Sequence, residues 1–190
     1  MDDFGYKEEV LDTVDEYLGT ETKNYKIIIA ALIFGHFGIK IQTYENNTMN
    51  YSVLSPYDYK DKKYIFGTKE YITETLWHEI CHLTINGITK MFINRLDKKE
   101  KVLPEKFTKI FYTDTEAIAN EYIIRAITIR LFEICNKNDI ADYYLKYHIQ
   151  KGFNEIESVK NYLEKHCEEN NKLIKDEKYK EFIKYVMGII

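Results

Sequence analysis

The sequence predicts an α+β fold, with a small sheet in the N-terminal part followed by helices. Two observations support this: alternating and β-prone segments lie before residue 68, and apolar residues recur at helical spacing from about Lys69. With two prolines and eight glycines in 190 residues, the chain has little room for linkers. We therefore expect a single domain over 1–190, with a sheet-containing part at about 1–68 and a helical part at about 69–190.

The N-terminal elements follow from the spacing of apolar residues. Helical spacing predicts a helix over 6–18 and a second helix from Ile27 to Phe37. Strands are expected at Ile39–Tyr44, Tyr51–Leu54 and Lys63–Phe66, where the sequence alternates or is β-prone and turn residues lie nearby. These three strands should form one small antiparallel or mixed sheet.

The C-terminal part is predicted to be helical. One helix begins near Lys69, a long helix runs over about 115–136, and further helices follow from about Ile140. Stops or breaks are expected at Asn86-Gly87, at Gly152-Phe153 and near Asn170-Asn171.

Composition excludes several classes of function. The net charge is −4, no basic stripe indicates nucleic-acid binding, and the apolar stretches are too short for a membrane span. Three cysteines (Cys81, Cys135, Cys167) indicate reduced, buried thiols rather than a disulfide framework. The N-terminus lacks a signal-peptide pattern, which favours a cytoplasmic protein, or a secreted one whose signal has been removed.

The motif with the clearest chemistry is His78-Glu79-Ile80-Cys81-His82, an H-E-x-x-H sequence in a predicted helix. Histidines four residues apart lie on one helical face, so both can bind one zinc ion, and the adjacent glutamate can act as general base on a water. Two chance histidines on a surface helix, beside a solvated glutamate, are the alternative interpretation.

A catalytic zinc site needs a third protein ligand. The metzincin extension is excluded, because Ile85 and Ile88 occupy its glycine and histidine positions. The remaining candidates are Glu116 and Glu121, which point about 140° apart on a helix and cannot both face one metal.

Local sequence separates the two glutamates. Glu116 is explained as part of a capping box with Thr113, whereas Glu121 lies in an apolar stripe, where a carboxylate needs a compensating cation. Zinc would supply that charge, and an ion pair with Arg125, one turn later, is the alternative. We therefore expect His78, His82 and Glu121 as ligands of Zn²⁺.

Several motifs together resemble a bacterial family of predicted zinc metalloproteases that is known as a domain of unknown function. The stretches that carry the resemblance are Tyr51–Pro56 (YSVLSP), Leu76–Asn86 (LWHEICHLTIN), Asn120–Leu131 (NEYIIRAITIRL) and Lys151-Gly152-Phe153. It covers roughly residues 40–185. The resemblance implies a zincin-like (gluzincin) fold, with His78, His82 and Glu121 as ligands and Glu79 as general base.

Neighbouring residues have two interpretations each. Asn86 either holds a ligand or substrate group or caps the end of the helix, and Arg125 either orients Glu121 or binds a substrate carboxylate. The donor that stabilises an oxyanion is left open among Tyr112, Tyr122, Tyr147 and His148.

The expected function is that of a zinc-dependent peptidase acting on peptide or protein substrates. By analogy with zincins, an extended substrate would add to an edge strand, for which Tyr51–Ser55 is the candidate. One alternative is a small-molecule or regulatory hydrolase, or a peptidase that cuts one dedicated protein. Another is a non-catalytic or regulatory zincin-fold module that binds a peptide or protein partner. An intact Glu79 argues against the non-catalytic module, which needs no base.

Overall fold

The computed structural model describes residues 4–33, 35–44, 47–94 and 115–190 and has the predicted mixed α+β character. The chain divides into an N-terminal unit, Met1–Leu83, and a C-terminal unit, Thr84–Ile190. The described helices are α1 (Phe4–Leu18), α2 (Lys69–Ile93), α3 (Thr115–Ile134), α4 (Asn138–Gln150), α5 (Ile156–Tyr162), a π-helical turn (Leu163–Cys167) and α6 (Glu177–Ile189). The described strands are β1 (Tyr25–Ile29), β2 (Phe37–Gln42), β3 (Thr48–Leu54), β4 (Asp58–Lys60), β5 (Lys63–Ile65), β6 (Glu168–Glu169) and β7 (Lys172–Leu173).

The N-terminal unit contains a mixed three-stranded sheet with the strand order β1-β3-β2. β1 pairs parallel with β3, with Tyr25 opposite Asn50, and β2 pairs antiparallel with β3, with Phe37 opposite Val53. The predicted mixed sheet is confirmed, but its membership differs. The strand at Lys63–Ile65 pairs with β4 in a separate hairpin.

The predicted helix from Ile27 to Phe37 is wrong. Ile27, Ile28 and Ile29 are consecutive β-branched residues, a type that packs well on a pleated sheet. They form β1, and their backbone pairs with β3 as far as Ile29 opposite Leu54. Apolar spacing alone does not distinguish such a short run from a buried helix.

The central position of β3 also corrects the expected substrate strand. Tyr51–Ser55 was assigned to a sheet edge, but β3 has a hydrogen-bonded neighbour on each side. Among the described residues, the edges of this sheet are β1 and β2.

The predicted first helix is confirmed as α1, which packs through an apolar face of Val10, Val14 and Leu18. The buried indole of Trp77, on α2, donates a hydrogen bond to the backbone carbonyl of Val10 at 3.0 Å. This bond and the apolar burial hold the start of α2 in a defined position within the N-terminal unit.

The predicted stop of α2 at Asn86-Gly87 is wrong, because the helix continues to Ile93. A glycine inside a helix costs about 1 kcal/mol relative to alanine. Phe92 and Ile93 are buried, and the Phe92 ring lies 6.0 Å from that of Tyr179 on α6. Burying one large apolar side chain contributes about 1.5–3 kcal/mol, which exceeds the cost of the glycine.

In the C-terminal unit, α3 is the buried central helix, contacted by α4, α5 and α6. The predicted break at Gly152 is confirmed, and Gly152 has a φ of +97°. The predicted break near Asn170-Asn171 is also confirmed, because both residues are left-handed and connect β6 to β7.

The cysteines form no disulfide. Cys81 and Cys167 are buried, as expected, and burial raises the pKa of both thiols, that of Cys167 to about 12. Cys135 is half-buried, just after the end of α3. None of the helices described above has the length and hydropathy that a membrane crossing requires.

The close approach of β2 to α2 at Gly38 can be tested by substitution. A Cβ atom on Gly38 of β2 would overlap the backbone carbonyl oxygen of Glu79, whereas a Cβ on Gly87 would meet nothing within 4 Å. Gly38→Ala should lower the free energy of unfolding by about 1–3 kcal/mol through overpacking. Gly87→Ala, the matched control, should raise it by about 0.5–1 kcal/mol through helix propensity.

Urea denaturation followed by far-UV circular dichroism measures both changes. Equal stability of Gly38→Ala and the wild type would show that β2 and α2 are not in close contact in solution.

Candidate metal centre

The two motif histidines lie one turn apart on α2 and point to a common spot. Their Nε2 atoms are 3.1 Å apart, and their rings meet edge to face with centroids separated by 4.8 Å. His78 is 8% exposed and His82 is half-buried. The spacing in the sequence therefore produces the convergence that a shared ligand requires.

The separation of these two nitrogens suits a metal ion. Two nitrogens that each lie about 2.0–2.1 Å from a tetrahedral zinc are about 3.3 Å apart. A hydrogen bond between two neutral imidazoles, in which one Nε2–H donates, also accounts for a 3.1 Å contact. In either case the two nitrogens face each other.

Glu79 is buried beside the sheet, with 6% exposure, so it is not a solvated surface glutamate. One of its carboxylate oxygens lies 3.4 Å from the position a Cβ would take on Gly38 of β2. Burial raises the pKa of Tyr25, on β1, and the charge of Glu79 raises that pKa further. The carboxylate therefore lies close to the backbone and hydroxyl groups of the sheet.

Glu121 lies on α3, with 12% of its side chain exposed. Its Oε2 accepts a hydrogen bond from Nη2 of Arg125 at 2.7 Å, so the ion pair considered from the sequence is present. The bond from Arg125 engages one of the two carboxylate oxygens of Glu121. Both side chains lie in the C-terminal unit, and the guanidinium also faces His148.

The other sequence candidates have mixed outcomes. Asn86 is exposed in the interior of α2, so its alternative role as a helix cap is wrong. Glu116 lies in the first turn of α3, whereas Thr113 and Tyr112 lie outside the described residues. Tyr122 is fully buried, and burial raises its pKa to about 12.

Sequence reasoning missed the role of Gly38 and two contacts of Arg125. Gly38 was assigned no role, although it allows β2 to approach Glu79. The contacts of His148 and Phe153 with the guanidinium of Arg125 were also missed. The signal available in the sequence was the Lys151-Gly152-Phe153 segment, whose glycine marks a turn next to a phenylalanine.

Comparisons with known proteins identify a family. Residues 5–186 match the family described as "Domain of unknown function (DUF4932)". No curated protein and no solved structure matches the chain significantly. Because the family match spans nearly all of the 190 residues, the chain belongs to the DUF4932 family.

Proposed function

We propose that this protein is a zinc-dependent metallopeptidase with a zincin-like (gluzincin) fold, and that His78, His82 and Glu121 bind the Zn²⁺ ion. The observation that carries the proposal is the convergence of two Nε2 atoms, 3.1 Å apart, next to the buried carboxylate of Glu79. Two neutral imidazoles and one carboxylate form the ligand set of thermolysin-like zinc sites.

Glu121 is proposed as the third ligand because of its sequence position and its surroundings. It is the acidic residue on the buried stripe of α3, and a buried carboxylate requires compensating charge. Arg125 contacts Oε2, so the oxygen assigned to the metal is Oε1. In this arrangement Arg125 orients the ligand rather than replacing the metal.

Glu79 is proposed as the general base. When bound, zinc lowers the pKa of a water and polarises the substrate carbonyl. The Glu79 carboxylate takes a proton from the attacking water and passes it to the nitrogen of the leaving amine. Its burial keeps bulk water from screening the carboxylate, which strengthens its interaction with the developing charge.

An extended peptide is the proposed substrate, and β2 replaces β3 as the strand that binds it. β2 is an edge of the sheet among the described residues, and its Gly38 contacts the backbone of Glu79. A peptide that pairs with the outer edge of β2 would therefore have its carbonyl groups close to the base. The exposed Asn86 is proposed to contact the substrate or to support a ligand.

The first prediction for this site concerns metal content. The wild-type protein should bind about one zinc per chain. Glu121→Ala should weaken zinc binding by more than about 100-fold, because loss of a residue that only orients a ligand already lowers metal affinity by about 10–100-fold. Glu116→Ala is the matched control on α3 and should bind zinc like the wild type. Elemental analysis and competition with a chromophoric chelator measure both quantities. Full zinc occupancy in Glu121→Ala would eliminate the ligand assignment.

The second prediction concerns turnover. Glu79→Gln should retain zinc but lose about 10²–10⁴-fold in the rate of peptide hydrolysis, since it removes the general base. Glu70→Gln, an exposed glutamate in the first turn of the same helix, is the control and should be fully active. The measurement is mass-spectrometric analysis of a mixed peptide library. Equal rates in the wild type and Glu79→Gln count against the peptidase, and zinc binding without hydrolysis in either favours a binding module.

A further inference from the structure

Among the described residues of the C-terminal unit, the guanidinium of Arg125 lies against Glu121, His148 and Phe153. Its Nη2 donates to Oε2 of Glu121 at 2.7 Å, and its Nη1 lies 3.4 Å from Nδ1 of His148. Its central carbon lies 4.4 Å from the centroid of the Phe153 ring. A guanidinium only donates hydrogen bonds, so Nδ1 of His148 is the acceptor.

Arg125 contacts the carboxylate of Glu121 through one hydrogen bond. Arg125 uses one terminal nitrogen for the carboxylate and the other for the imidazole, and its Nε has no hydrogen-bond partner among the described residues. A guanidinium that is not otherwise held commonly grips a carboxylate through two parallel hydrogen bonds. The contact with His148 therefore coincides with an orientation in which Arg125 bonds only Oε2 of the two Glu121 oxygens.

The end of α4 fixes the two residues that hold the guanidinium. His148 is 1% exposed, and its backbone carbonyl accepts a hydrogen bond from the N–H of Phe153 at 3.0 Å. The chain reverses between them through Gly152, whose φ of +97° is readily adopted by glycine. The Phe153 ring then lies under the guanidinium and edge-on to the imidazole.

We propose that His148 is a positioning residue, which holds Arg125 so that Glu121 presents a single oxygen, Oε1, to the zinc. The inference rests on the proposed function, because it requires Glu121 to be a ligand. Without the acceptor on His148, the guanidinium turns to engage both oxygens of Glu121 and competes with the metal. Partners that orient a ligand in this way typically contribute 10–100-fold to metal affinity.

Two substitutions at His148 distinguish the effect of losing the hydrogen-bond acceptor from the effect of losing the aromatic ring. His148→Phe keeps an aromatic ring but removes the acceptor, whereas His148→Asn loses the ring but places an amide oxygen near the position of Nδ1. His148→Phe should weaken zinc binding by about 10–100-fold, and His148→Asn should remain closer to the wild type. Tyr144→Phe, a buried aromatic position one turn earlier on α4, is the control and should not change zinc affinity.

A double-mutant cycle tests whether His148 acts through Arg125. Lysine keeps the charge of Arg125 but cannot bridge Glu121 and His148 with a planar fork. A lysine ammonium also cannot form two parallel hydrogen bonds with Glu121, so it would not compete with the metal for both oxygens. His148→Phe should therefore weaken zinc binding when Arg125 is present but cause no further loss in Arg125→Lys. Zinc dissociation constants from chelator competition are the readout, and thermal unfolding of each metal-free variant checks that it is folded.

The outcomes distinguish this inference from the proposed function. If the wild type binds zinc, any of three results would overturn the positioning role alone. These are unchanged zinc affinity in His148→Phe, a greater loss of affinity in His148→Asn than in His148→Phe, and additive losses in the double variant. If the folded wild type binds no zinc, the proposed function fails, and this inference fails with it. Should His148→Phe not fold, His148→Leu, which also removes the acceptor, takes its place in the same cycle.

Discussion

The burial of charged side chains is the constraint on which this structure depends. A buried ionised group is costly unless a partner of opposite charge or several hydrogen bonds compensate it. In the C-terminal unit the compensation is direct, because buried Arg130 bonds both carboxylate oxygens of Glu168 and also pairs with Glu133. Lys160 pairs with Glu133 as well, so α3, α5 and the first residue of β6 are joined by one ionic network.

The motif helix α2 also carries buried acidic side chains. Glu74 and Glu79 are 8% and 6% exposed, on a helix that also carries the converging nitrogens of His78 and His82. Histidine nitrogens are the groups through which a metal cation would enter this environment. A cation held by these two histidines would offset part of the cost of the buried carboxylates.

Several features could be predicted from the sequence because they depend on local geometry. Residues four apart on a helix are neighbours, so the meeting of His78 with His82, and of Glu121 with Arg125, follows once the helices form. The glycine at 152 and the asparagines at 170 and 171 take left-handed conformations that these residue types tolerate, so the breaks were also visible. The errors fell where distant contacts outweigh local preference. Ile27–Ile29 pair with β3, and burial of Phe92 carries α2 through Gly87.

The sequence by itself determined the α+β class, the helical placement of the motif and the identity of the candidate ligands and base, because these depend on residue type and on spacing within one element. Tertiary structure alone decided that β3 is central, that β2 approaches Glu79 at Gly38, and that His148 faces Arg125. The pairing of β1 with β3, the approach of Gly38 to Glu79 and the contact of His148 with Arg125 each join residues more than 20 positions apart in the chain. Their proximity depends on strand order and side-chain packing, for which spacing along a single sequence carries no signal.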